Sequence, residues 1–112
     1  MIIENNALKG TKSELNHLDD ISSRLGFVRN QWEYYRATYD YKITYGEHDY
    51  YLRIDSRAVE GKLEQPHAVL QIQDAFLGRA TFPHGLSYNE SIPAQVLKAA
   101  ETKLAELANI LK

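Results

Sequence analysis

The chain has no cysteine. Disulfide staples, thiolate nucleophiles and cysteine-based zinc sites are therefore excluded. No apolar run approaches the roughly 20 residues that a helix needs to cross a bilayer. The opening residues, Met1-Ile2-Ile3-Glu4-Asn5-Asn6, lack a basic stretch followed by an apolar one, so no secretory signal is expected. A cytoplasmic location and no membrane partner follow as expectations. Neither sign of charge dominates, with 13 Lys and Arg against 15 Asp and Glu. A nucleic-acid partner leaves a basic stripe, but here Arg36, Lys42, Arg53 and Arg57 interleave with Asp40, Glu47, Asp49 and Asp55. No nucleic acid is expected. The phosphate-holding motifs G-x-G-x-x-G and G-x-x-x-x-G-K-[ST] are missing, and the four histidines show no H-x-x-x-H spacing. No cofactor and no metal site is expected.

What is present is an ordinary globular composition, 44% apolar and 25% charged over 112 residues. That length fits a single domain over 1–112, able to bury roughly two thirds of its unfolded surface. The aromatic residues are the unusual feature. Seven of the eight tyrosines and the single tryptophan fall between Trp32 and Tyr51.

Thr11-Lys12-Ser13-Glu14 reads as a capping box. Leu15, Leu18, Ile21 and Leu25 follow at helical spacing, and Gly26 suits the left-handed position past a helix end. A helix is predicted over about 12–25. Phe27 and Val28 begin a strand, Asn30-Gln31 forms a turn, and a longer strand starts near Trp32. Over 36–45, Ala37, Tyr39, Tyr41, Ile43 and Tyr45 alternate with Arg36, Thr38, Asp40, Lys42 and Thr44, the period of a strand with one covered face.

Gly46-Glu47 suits a two-residue hairpin loop. That loop sets Ile43 opposite Tyr50, Tyr41 opposite Leu52, Tyr39 opposite Ile54, and Asp40 opposite Arg53. A four-residue loop keeps the same faces but sets Asp40 against Asp55 and Lys42 against Arg53. Like charges directly opposite are unfavourable, so the shorter loop is preferred. After a connection over 60–66, Ala68, Leu70 and Ile72 face inward. Asp74 breaks the alternation, and a bulge near Gln73 restores it by turning Ala75 and Leu77 inward. Residues 79–82 extend this strand or form a short one, and Pro83 to Asn89 form a loop. Ser91 can cap a last helix over about 93–111, with Pro93 in its first turn and an apolar stripe of Leu97, Ala100, Leu104, Leu107 and Leu111. The expected fold is α+β in two layers: an antiparallel meander of about four strands, with an N-terminal and a long C-terminal helix on its apolar face.

Three places invite a functional reading. The tyrosines can form a stacking platform for an aromatic ligand, or simply a core with hydroxyls at its rim. The core reading is favoured, because Tyr39, Tyr41 and Tyr45 share a face with Ile43, Leu52 and Ile54. The polar face of the sheet carries Arg36, Thr38, Asp40, Lys42, Tyr51, Arg53, Asp55, Arg57, Gln71 and Gln73. It is either a solvated face laced with ion pairs or an interaction surface, since arginine and tyrosine favour interfaces. The third place is Phe82-Pro83-His84-Gly85-Leu86-Ser87-Tyr88, where a histidine precedes a serine by three residues. Gly85-Leu86-Ser87-Tyr88-Asn89 only half matches the G-x-S-x-G elbow, so a shaped turn is the simpler account.

Several of these pieces occur together in one family. Gly26-Phe27-Val28, Trp32-x-Tyr34, Thr38-Tyr39-Asp40-Tyr41-Lys42, Tyr50-Tyr51-Leu52-Arg53, Ala58-Val59-Glu60-Gly61 and Pro83-His84-Gly85-x-x-Tyr88 stand in family order across about residues 26 to 88. The chain resembles the YugN-like proteins, small proteins of Bacillus and related Firmicutes. The resemblance implies a compact α+β fold and a cytosolic bacterial protein. It implies no activity and carries no catalytic residues. The expected function is a non-enzymatic binding or interaction module, forming a homodimer through Arg36, Asp40, Lys42, Tyr51, Arg53 and Arg57. The rival is a small-ligand site or weak enzyme using His84, Tyr88, Arg53 and Asp55.

Overall fold

A computed structural model of the chain describes residues 1–3, 6–81, 85–87 and 91–111, with the backbone alone at 31–33, 81 and 85–87. The elements run β1 (Lys12–Glu14), α1 (Leu15–Arg24), β2 (Val28–Glu33), β3 (Arg36–Tyr45), β4 (His48–Glu60), β5 (Val69–Thr81), β6 (Gly85–Ser87) and α2 (Ala94–Leu111). The sheet order is β1-β5-β4-β3-β2, with β6 also on β5, and every pairing is antiparallel. The α+β class is as expected. The four-strand meander is β2 to β5, and β1 and β6 add three residues each to the far side of β5.

The central hairpin has the expected register. Gly46 adopts a positive φ of 63°, and Ile43 lies opposite Tyr50, Tyr41 opposite Leu52, Tyr39 opposite Ile54, and Asp40 opposite Arg53. On β5 the expected bulge is present. Ile54 pairs with Ala75 but Ser56 pairs with Ile72, so Gln73 and Asp74 together occupy one step of β4. The extra residue keeps Leu70, Ile72, Ala75 and Leu77 all buried on the helix side.

Three local expectations are overturned. The capping box does not form, because residues 12–14 are strand rather than helix. Glu14 stands at the helix start with extended backbone and caps nothing with its side chain. The first free amides of α1 go elsewhere: Leu15 N–H donates to the Ala68 carbonyl (2.8 Å) and Asn16 N–H to that of Pro66 (3.1 Å). Glu14 turns its carboxylate to His67 Nδ1 at 2.8 Å. Tertiary carbonyls have replaced the local cap. The turn placed at Asn30-Gln31 lies instead at Tyr34-Tyr35. Its carbonyls are held from outside, Tyr35 by Ala58 N–H and Tyr34 by Leu63 N–H, each at 2.8 Å. Asn30 stays in β2 and spends its amide on Asp40. The 83–89 loop also contains β6, which pairs with residues 79–81.

The end of α1 is a Schellman motif. Gly26 has φ of 93°, its N–H donates to Ser23, and Phe27 N–H donates to Ser22. A Cβ built on Gly26 falls 3.2 Å from the Tyr41 ring, so both backbone and packing ask for glycine here. From that corner α1 and α2 cover the apolar face. Leu15, Leu18 and Ile21 meet Val96, Ala100, Leu104 and Leu107 over Leu52, Ile54, Leu70 and Ile72. Full burial of each such large side chain contributes about 1.5–3 kcal/mol.

The sheet edges differ. Along its outer side β5 meets β6, then the Met1–Ile3 segment, then Gly10 and Thr11, then β1. That sheathing hides the row of donors and acceptors that would otherwise template aggregation. β2 ends the sheet on the other side and has no strand partner beyond it among the described residues.

Candidate functional site

The polar face of the sheet is drier than a solvated surface. Asp40 is only 8% exposed although it points away from the helices. Arg53, directly opposite, grips it with both arms of its guanidinium: Nε donates to Oδ1 at 2.8 Å and Nη2 to Oδ2 at 2.9 Å. The Asn30 amide donates to Oδ2 at 3.1 Å. Thr38, also buried, donates to the Asn30 carbonyl at 3.5 Å. Strand pairing makes this network possible, since Asn30 faces Thr38 across β2–β3 and Asp40 faces Arg53 across β3–β4. A bidentate arginine–carboxylate pair fixes geometry as well as charge.

Asp55 lies two residues further along β4, opposite the β5 bulge. Burial is the largest influence on its carboxyl and raises its pKa; Arg36 and Arg53 pull it down, while Asp74 and Asp40 push it up. Asp74 itself is paired with Lys9 at 2.8 Å. Towards the hairpin end, Lys42 reaches Asp49 at 3.6 Å and Thr44 donates to Asp49 at 2.9 Å. Tyr51 stands half-buried between them and Gly78 of β5. At the opposite end, beside the Tyr34-Tyr35 turn, Arg36 lies directly opposite Arg57. A hollow of about 490 Å³ opens there, lined by Tyr35, Arg36, Arg57 and Ala58 among the described residues.

The structure thus gathers Arg36, Asp40, Lys42, Tyr51, Arg53, Asp55 and Arg57 on one face. His84 and Tyr88, with Pro83, lie outside the described residues. Asn30, Tyr35 and Ala58 are the members that sequence reasoning missed. Asn30 was masked by its strong turn propensity. Among the described residues no three histidine or carboxylate side chains gather with metal-holding geometry, and no helix is long and apolar enough to cross a membrane.

On the helix side the tyrosines split. Tyr39 and Tyr50 are buried core, Tyr41 is half-buried, and Tyr45 at the hairpin tip is 38% exposed. The Tyr39 hydroxyl donates to Asp19 Oδ1 on α1 at 2.7 Å. Tyr41 packs its ring on Phe27 with centroids 5.4 Å apart. The Lys103 ammonium of α2 lies 4.8 Å from the centre of the same ring. These tyrosines tie both helices to the sheet and form no open stacking platform.

This geometry defines a two-layer α+β protein with a helix-covered core and a built polar face. The chain belongs to the YugN-like family, whose pattern matches residues 4–108. It is 40% identical over 108 residues to "Uncharacterized protein YlbA" of Bacillus subtilis (strain 168), covering 94% of this chain and 90% of that one. It is 35% identical over 77 residues to "Uncharacterized protein YugN" of the same organism, covering 68% of this chain and 58% of that one. The crystal structure of the uncharacterized conserved protein YugN from Geobacillus kaustophilus HTA426 superposes with a TM-score of 0.87 at 36% identity, over 99% of this chain and 94% of that one. The names of these relatives state no reaction, ligand or partner.

Proposed function

We propose that the protein is a non-enzymatic cytoplasmic binding module that pairs with a second copy of itself across the polar face of its sheet. The observation that carries this reading is the Asp40–Arg53–Asn30 network, built around a buried carboxylate on the side away from the helices. A buried ion pair adds little net stability compared with apolar residues of the same size. What it does provide is a rigid polar surface with fixed positions for charge. Around it the half-buried Tyr51 supplies a residue type enriched at interfaces, and the exposed Lys42 beside it supplies charge at the rim. Both signs of charge are present, so two copies related by a two-fold axis can set basic positions against acidic ones. The cytoplasmic assignment is supported by a chain free of cysteine.

Light scattering over a range of concentrations tests this. The wild type is expected at twice its 12.9 kDa chain mass. Lys42→Glu combined with Tyr51→Ala is expected to return it to the monomer with its fold intact. A wild type that stays at the single-chain mass at every concentration sinks the proposal.

A further inference from the structure

The two edges of the sheet are finished differently, and the bare one, β2, has a definite pattern of donors and acceptors. The two-residue loop closes on Tyr45 and His48, and in such a hairpin the closing residues exchange both backbone hydrogen bonds. Counting back from there, the odd-numbered residues of β3 turn their backbone groups to β4 and the even-numbered ones to β2. Two contacts agree with that count: Ala58 N–H meets the Tyr35 carbonyl, and the Thr38 hydroxyl meets the Asn30 carbonyl. Val28 and Asn30, opposite Asp40 and Thr38, are thus the bonded residues of β2. Arg29 and Gln31 aim their N–H and C=O groups away from the sheet.

The open stretch is bounded. Phe27, the next residue of the same parity, spends its N–H on the Ser22 carbonyl at 2.9 Å. Beyond Gln31 the β2–β3 register shifts, and the bulge takes the strand out of step with any outer neighbour. Between these limits β2 carries none of the devices that keep bare edges apart. It has no proline and no lysine over 28–33, and its one cation, Arg29, is drawn to Asp19 at 3.5 Å. Val28, in the same window, is 64% exposed. Among the described residues nothing meets the four outward groups of Arg29 and Gln31.

We propose that β2 pairs edge to edge with β2 of a second copy, antiparallel, about a two-fold axis through Asn30. This centre sets Arg29 against the partner's Gln31 and Gln31 against the partner's Arg29. The four outward groups of one copy then meet the four of the other in four hydrogen bonds. An axis through Arg29 sets two like charges directly opposite and turns the Gln31 carbonyl to the spent N–H of Phe27. An axis through Gln31 calls on Glu33, past the bulge. A second copy also brings its strand already extended, whereas a loose peptide must first be ordered. The axis stands perpendicular to the sheet, so both helix layers lie on one side and both polar faces stay open on the other. Edge pairing is therefore independent of the face pairing described above. It is also the weaker of the two, since each backbone hydrogen bond adds little net stability, and it sets in at concentrations above those at which face pairing is complete.

Amide hydrogen exchange on the full chain, in dilute solution and again at about 1 mM, tests the proposal. The Arg29 and Gln31 amides are expected to exchange freely when dilute and about threefold or more slowly when concentrated. Those of Val28 and Asn30, bonded to β3, are expected to be slow at both concentrations. Gln31→Pro removes one outward N–H and leaves the β2–β3 ladder whole, because an edge strand tolerates proline where the N–H faces out. Val28→Lys places at an exposed position the charge that blunts an edge. Each is expected to abolish the slowing at Arg29, while the amides of residues 28 and 30 stay slow and report an intact fold. Lys42→Glu with Tyr51→Ala, which removes face pairing, is expected to keep the slowing. The proposal is overturned if the Arg29 and Gln31 amides exchange at one rate at both concentrations, which would leave this edge to an extended segment of another protein. It is overturned equally if the slowing survives both edge variants, or if it vanishes with Lys42→Glu and Tyr51→Ala. The two readings fail separately. A chain that never pairs across its face yet shows the slowing keeps this seam, and a face pair whose edge amides exchange freely loses this seam alone.

Discussion

On the helix side of the sheet, Leu52, Ile54 and Leu77 are almost wholly hidden within the apolar cluster. One residue along on the same strands, Arg53, Asp55 and Phe76 look the other way, into a layer where burial is achieved by pairing charge with charge. The first face gains stability from area removed from water, which tolerates many exact shapes. The second gains fixed positions at little net stability, and depends on every partner being present. The difference teaches that the polar side of an amphipathic sheet can be dry at its centre while its ends stay exposed, and that this polar side is the more brittle of the two.

Substitutions on each face sharpen the contrast. Leu52→Ala removes a wholly buried side chain from beneath the helices and is expected to cost about 3–4 kcal/mol in urea unfolding. Arg53→Met strands the buried Asp40 carboxylate and is expected to cost about 2–3 kcal/mol. Adding Asp40→Leu to it is expected to restore most of that loss, because an apolar pair is then left with no orphaned charge. A double variant no better than the single one would place the value of this pair in stability rather than in geometry.

Tyr39→Phe deletes the hydroxyl bonded to Asp19 and is expected to cost about 1 kcal/mol at neutral pH. Its sharper readout lies in alkali. Burial first, and then the Asp19 hydrogen bond and charge, raise the Tyr39 pKa above its ordinary 10.0. The folded form thus holds this proton where the unfolded chain has begun to lose it. The corresponding stability is complete below pH 10 and drains away as pH rises beyond it. Melting curves of Tyr39→Phe are expected to fall less steeply above pH 10 than those of wild type.

The smallest effect has the same pH sign, but the substitution itself is expected to be neutral or stabilising. Burial raises the Asp55 pKa in the fold, so the charged form is the strained one, and stability declines as pH climbs through the folded pKa. Asp55→Asn is expected to melt at the same temperature as wild type or slightly higher at pH 7. It is also expected to remove part of the stability change between pH 4 and 7. A clear drop in melting temperature would show that the Asp55 charge is needed by Arg36 and Arg53.

Much of this was readable beforehand where one physical constraint decided the outcome. The two-residue Gly46-Glu47 loop and the avoidance of like charges at Asp40 and Lys42 fixed the whole β3–β4 register. The bulge at Gln73-Asp74 followed from keeping Ala75 and Leu77 inside. Where two constraints competed, local propensity lost. The Thr11-to-Glu14 signature yielded to carbonyls from Pro66 and Ala68, and the Asn30-Gln31 turn yielded to the carboxylate of Asp40. The Arg36–Arg57 opposition was implicit in the same register but stood at its far end, where no alternation called attention to it. The hollow beside them depends on a Tyr34-Tyr35 turn that turn propensities do not favour.

Gly26 and Tyr41 are fifteen residues apart in the chain and in direct contact in the fold. The glycine closes α1 and, by lacking a Cβ, leaves room for the ring that Lys103 and Phe27 then enclose. In evolutionary terms the two positions are not free to drift separately. A lineage that enlarges residue 26 strains the left-handed helix end and must also move the ring of residue 41 by a few tenths of an ångström, and that ring is the seat of α2.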